Sequence, residues 1–143
     1  STHCHCMKAL ILFLSVTQNF LLMQPIQKSI KTGDFTNFAS ICTEMISINL
    51  EEPFRRSGYM SRERFTAYFS SIFKEYQVEK TEWSSLQNLV KLKKDADIYA
   101  VQSLNLYLLS RRSGENIVYK FIFFMVREKG IEWKIYYLRG IKL

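Results

Sequence analysis

The apolar residues of this chain change period for good at Tyr76. Just before that point Phe65, Tyr68, Phe69, Ile72, Phe73 and Tyr76 recur at three- and four-residue steps. Such spacing sets them on one stripe of an amphipathic α-helix of about four turns. Ser61 precedes the stripe as an N-cap, and Glu63 follows in the first turn, where the helix dipole favours an acid. Beyond Tyr76 the helical spacing is gone. Val78–Leu89, Ile98–Arg111, Ile117–Arg127 and Ile131–Ile141 read as four strands. Lys91–Asp97, Ser113-Gly114-Glu115-Asn116 and Lys129-Gly130 read as the turns between them, the last two with the glycine that tight hairpins want. Strands that follow one another without helices between them pair as an antiparallel meander, which excludes a helical bundle and a parallel α/β sheet.

The first half of the chain supplies the helices. Pro25 is placed to open one and Gly33 to stop it. Asp34 or Thr36 can cap a second, short helix that turns Phe35, Phe38, Ala39, Ile41 and Cys42 inward. Glu44–Leu50 alternates as a strand does, and Glu51-Glu52-Pro53 ends it. Phe54–Met60 reads as a basic loop or short strand around Ser57-Gly58. The order is helix, helix, strand, helix, then four strands. That is an α+β domain, one curved antiparallel sheet with its helices on one face. A chain of 143 residues buries roughly two-thirds of the surface its unfolded form exposes, so it folds without a disulfide or a metal.

Residues 1–23 read differently. Met7-Lys8 followed by Ala9–Val16 has the charged and apolar regions of a secretory leader, and the apolar run is too short to span a bilayer. No A-x-A cleavage site follows it, and a buried or amphipathic helix is the rival reading. We expect a leader-like segment over residues 1–23 and a single domain over residues 24–143. His3-Cys4-His5-Cys6 offers four metal donors, but consecutive ligands cannot easily reach one ion, and structural zinc sites space theirs apart. No metal and no cofactor is expected. Only Cys42 lies in the body of the chain, which excludes an internal disulfide framework there. The net charge of +7 favours anionic surroundings, but no run of five or six like charges marks a nucleic-acid tail.

Three stretches resemble the nuclear transport factor 2-like superfamily, the cystatin-like α+β cone. Gln24–Phe35, with its Gly33-Asp34-aromatic ending, looks like the family's first helix. Tyr59–Phe65 looks like the start of its long helix, and Ile117–Phe121 with Gly130–Arg139 looks like its last hairpin. The likeness covers residues 24–143 and is greatest to small secreted bacterial members of unknown function. It implies a sheet wrapped around the N-terminal helices as a cone, with a pocket between them. Some relatives are steroid isomerases and dehydratases, which set an acid, or a His with an Asp, inside the cone beside a Tyr donor. Such an acid must be desolvated enough to raise its pKa. Here the only histidines are His3 and His5. Asp34, Asp95, Asp97, Glu115, Glu128 and Glu132 fall at expected turns or strand ends, and no strand centre is expected to carry an acid.

The last strand sets Ile131, Trp133, Ile135, Tyr137 and Ile141 on an expected core face, against Glu132, Lys134, Tyr136, Leu138 and Lys142. The strand before it is apolar on both faces, and its register depends on the Lys129-Gly130 turn. A sheet with one face in water should alternate cleanly. Either the outer face is covered by another chain or the pocket side is unusually aromatic. A homodimer through the sheet face is expected, as the resemblance implies, with Leu106, Leu108, Tyr136 and Leu138 as contacts. The pocket is expected to draw on Phe65, Phe69, Phe73, Trp83, Trp133 and Tyr137. The reading is a non-catalytic, secreted binding or accessory domain with an aromatic-lined cone for a small apolar ligand or a protein partner. An isomerase- or dehydratase-like enzyme is the rival. A basic nucleic-acid binder is the third reading, opposed by the absence of a concentrated basic stripe. Export to the periplasm or beyond follows if the leader is real, and a cytoplasmic place if it is not.

Overall fold

A computed structural model describes residues 24–90, 97–128 and 132–143. Helix α1 spans residues 24–32, with Pro25 in its first turn. Gly33 ends it at φ +74°, its N–H donating to Ser29 O at 2.8 Å. A left-handed residue after the last turn is how helices commonly close, and glycine takes that conformation without strain. The expected second helix is a single 3-10 turn, Phe38–Ile41, preceded by Asp34 accepting from Thr36 N–H at 3.0 Å. That local bond offers the backbone a turn in place of a longer helix.

Strands β1 (Cys42–Leu50) and β2 (Arg56–Ser61) form a hairpin, and α2 (Arg62–Glu75) follows at once. Ser61 caps α2, its hydroxyl accepting from Arg64 N–H at 3.2 Å, with Glu63 in the first turn and Lys74 in the last. Helix gives way directly to strand at Tyr76. There β3 (Tyr76–Trp83) begins, followed by β4 (Gln87–Val90), β5 (Ile98–Ser110), β6 (Asn116–Arg127) and β7 (Lys134–Lys142). The strand expected over Val78–Leu89 is thus two, broken at residues 84–86, and both pair with β5. Across the sheet the order is β2-β1-β7-β6-β5-β3. The C-terminal strands form the expected antiparallel meander, and β7 joins β1 in parallel. The result is the α+β class expected, a curved, unclosed sheet with helices on its inner side.

One core fills that inner side. Ile26 and Ile30 of α1, Phe35, Phe38, and Phe65, Phe69, Ile72 and Phe73 of α2 meet Ile46, Ile48 and Leu50 of β1 and alternate residues of β5, β6 and β7. The register of β6 is now fixed. Ile117, Tyr119, Phe121, Phe123 and Met125 face inward, and Val118, Ile122 and Phe124 face out. The last strand departs from the expected alternation. Phe124 pairs with Tyr137 but Met125 pairs with Ile135, so Tyr136 is an extra residue, a β-bulge. The bulge breaks the period of two, which puts Ile135 and Leu138 in the core and moves Tyr137 to the outer face against Phe124. Ile131 and the Lys129-Gly130 turn lie outside the described residues.

Candidate functional site

Three places come into question: the interior of the cone, the outer face of the sheet, and a cleft beside β3. The interior is occupied by the protein's own rings. Phe69 alone meets Phe35, Phe38, Phe65, Phe73, Phe121 and Phe123, with centroids 5.1–6.5 Å apart. These separations are ordinary aromatic packing. Of the expected pocket residues, Phe65 and Phe69 have no exposed surface and pack within the core, while Phe73, nearly buried, also lines the cleft beside β3. Trp83 leans on the same core, stacked over Phe123 at 6.0 Å, and its Nε1 donates to Gln27 Oε1 at 2.8 Å. Trp133 packs against the core's edge, its Nε1 buried with no hydrogen-bond partner. Tyr137, the sixth, does not reach the cone at all.

The catalytic reading needs a desolvated acid. Among the described residues every Asp and Glu keeps contact with solvent. The expectation that no strand centre carries an acid is corrected by Glu79 and Glu82, both exposed on β3. Glu82 accepts from Tyr107 Oη at 3.2 Å and pairs with Lys80 at 2.9 Å, and those bonds hold its carboxyl below the usual range. Tyr119 faces inward, its hydroxyl donating to Glu51 O at 2.9 Å. Burial and the nearby Glu51 charge push its pKa up, so it stays a neutral donor held by the main chain. Gly140 is required by this tyrosine: a Cβ there would overlap the ring, 2.7 Å from both Tyr119 Cε1 and Leu50 Cδ2.

Cys42 is fully buried, its Sγ 3.6 Å from Phe38 O. Burial pushes its thiol up to about 12, against smaller opposing pulls from Arg62 and Lys134, so it is no nucleophile at neutral pH. No group of three or more His, Cys, Asp or Glu placed to hold a metal ion occurs among the described residues. His3 to Cys6, and the leader expected over residues 1–23, lie outside them. Among the described residues no helix is long and apolar enough to cross a membrane.

The outer face of the sheet is mixed, with apolar residues set among Lys120, Arg139, Ser103 and Asn105. Phe124 of β6 stands between Tyr137 of β7 and Val101 of β5, whereas Ile122 lies between Arg139 and Ser103, and Ile141 is opposite Lys120. Tyr99 and Tyr136 meet edge to face at 5.8 Å. Of the four residues expected on this face, Tyr136 is there. Leu106, Leu108 and Leu138 are instead in the core, since each sits on the inward phase of its strand and is at most 1% exposed.

The third place was not visible in the sequence. A cleft of about 340 Å³ runs between α1, the end of α2 and β3. Gln27 builds one wall: its Nε2 donates to Thr81 Oγ1 at 3.2 Å while its Oε1 takes the Trp83 bond, so one amide ties α1 to the sheet. Gln27 neighbours Ile26 on a helical face that also holds Ile30, a polar residue beside an apolar stripe. That position was the one available signal.

No family model and no curated protein matches the sequence. Solved structures do match the fold. A DUF4783 family protein from Bacteroides ovatus is 13% identical, with a TM-score of 0.57 over 84% of this chain and 94% of that one. A ketosteroid isomerase-like protein from Erwinia carotovora atroseptica is 10% identical, with a TM-score of 0.61 over 89% and 95%. A protein named Rd1NTF2_04 with long sheet is 15% identical, with a TM-score of 0.53 over 86% and 99%. At these identities the likeness is one of fold. The cone, the hairpin-helix order and the meander together make this chain a nuclear transport factor 2-like fold.

Proposed function

We propose that the chain is a non-catalytic binding or accessory domain that works through its surfaces, and that it pairs with a second copy through the outer face of the sheet. The observation that carries this reading is the contrast between a cone that, among the described residues, holds packed aromatic rings and an outer face where Ile122, Phe124, Tyr136, Tyr137 and Ile141 stay half-buried among Lys120 and Arg139. Four strands about 4.8 Å apart and about 30–40 Å long offer roughly 600–750 Å², close to the roughly 800 Å² each partner gives to a standard interface. The isomerase-like reading lacks its buried acid among the described residues. Among the described residues, a small apolar ligand in the cone would compete with the rings already packed there. Export through the expected leader belongs to the same proposal, and fractionation of cells expressing the full chain tests it.

Sedimentation velocity tests the pairing. The wild type should sediment as a dimer at micromolar concentration, and Phe124→Lys should sediment as a monomer with an unchanged far-UV circular dichroism spectrum. A wild type that stays monomeric as its concentration rises overturns the proposal. So does a Phe124→Lys variant that still pairs.

A further inference from the structure

The cleft beside β3 is lined by Tyr76 to Thr81, six residues in succession. Successive side chains of a strand point to opposite faces. A hollow on one face of the sheet would therefore be lined by every second residue. A hollow that meets all six follows the strand's free edge. β3 is the last strand of the sheet order, paired with β5 on one side and with no strand on the other among the described residues. Its outward N–H and C=O groups are thus the floor of a groove whose far wall is α1, held in place by Gln27.

The groove has a chemical character. Ile30 and Phe73, both nearly buried, and the half-buried Tyr76 and Val78 give it an apolar base. Lys31 and Arg111 stand at its rim, and neither side chain has an ion-pair partner among the described residues. Glu79 is the one acid that lines it. Lysines and bulges often guard free strand edges against pairing. The lysine on this strand does not. Lys80 is turned to the outer face, bonded to Glu82 at 2.9 Å and lying 5.2 Å from the Tyr107 ring centroid. The bulge at Glu79 is a single irregularity between Val78 and Lys80.

We propose that this edge receives an extended acidic segment of another protein, about six residues long, added to the sheet as a strand beside β3, with one large apolar side chain seated over Phe73 and Tyr76. Main-chain bonds to a free edge supply affinity in such additions, and pockets for alternate side chains supply selectivity. Lys31 and Arg111 select the charge. Residues 1–23 contain no acid, and β2, at the other end of the sheet order among the described residues, carries Arg56. The proposal does not depend on pairing through the outer face.

The full chain is panned against a displayed library of random heptapeptides, and the strongest binder is made as a free peptide. Binders rich in Asp and Glu around one aromatic or large aliphatic residue are expected. Each charge reversal, Lys31→Glu or Arg111→Glu, should weaken the free peptide about tenfold or more, the loss of a charge-assisted contact. N-methylation of alternate peptide amides tests the strand geometry with the protein left intact. One of the two alternating patterns should abolish binding and the other leave it, because only one edge of an added strand pairs. A library that yields no binder, binders without acids, or a peptide equally tolerant of both methylation patterns each overturns the proposal.

Discussion

The two faces of β6 are built from the same kinds of residue and meet different fates. Inward, Tyr119, Phe121 and Phe123 have no exposed surface and pack under α2. Outward, Val118, Ile122 and Phe124 remain partly open, although Phe124 is chemically identical to Phe123 beside it. What separates them is the set of helices on one side of the sheet. Apolar content sets how much surface a strand can bury, and the tertiary partner decides which face is buried. Substitutions matched across the sheet turn this contrast into measurements.

The largest effect belongs to Phe69→Ala. Its ring touches six others, and removing it leaves a cavity that the stiff neighbouring rings cannot fill. We expect a loss of about 3–5 kcal/mol, read as a lower urea midpoint at unchanged slope. A loss below that of an outer-face phenylalanine would break the contrast. Gly140→Ala probes the same layer by overfilling it. The added methyl meets Leu50 Cδ2 at 2.7 Å and a Tyr119 ring that is tied to Glu51 O, so about 1–3 kcal/mol should be lost. In a Tyr119→Phe background, which frees the ring from that bond, the cost of the methyl should fall.

Much of this layer was legible in the sequence, and the reason is local. The stripe from Phe65 to Phe73 has a helix's period, Ser61 a cap's chemistry and Gly33 a stop's, so each reports its own structure. The sheet was legible as strands but not as faces. Tyr136 inserts one residue into β7 and reverses every assignment on one side of it, and no residue type marks such a bulge. That is why Leu138 stood as an outer contact and Tyr137 as a pocket residue. Leu106 and Leu108 share a strand phase whose direction depends on β6 and on α2, which are contacts distant in sequence. The cleft was hidden for a related reason. Gln27, Lys31 and Arg111 are far apart in the chain, and only the sheet order makes β3 an edge.

A smaller effect is expected across the sheet. Phe124 is half-buried, so Phe124→Ala in the dissociated chain should lose about 1–2 kcal/mol, from the part of its surface that folding covers. The comparison with Phe69→Ala is sharpest at low protein concentration. If the chain pairs through this face, the loss should grow with concentration, because a partner then covers the ring as α2 covers Phe69.

The subtlest test asks whether the inner layer is dry. Cys42 is buried in it, and burial raises its thiol from 9.0 to about 12. The folded chain therefore keeps the proton longer than the unfolded chain does. Stability from this group is fully present below pH 9 and is lost as the pH climbs from 9 toward 12. Tyr119 pulls in the same direction, since burial raises its pKa as well, so the slope in the wild type alone does not isolate the thiol. The difference in unfolding free energy between the wild type and Cys42→Ala does. It should be flat below pH 9 and shift against the wild type above it. A difference that stays flat throughout would mean the thiol ionises as readily inside as out. In that case solvent reaches beneath the sheet, and its two faces differ less than their burial implies.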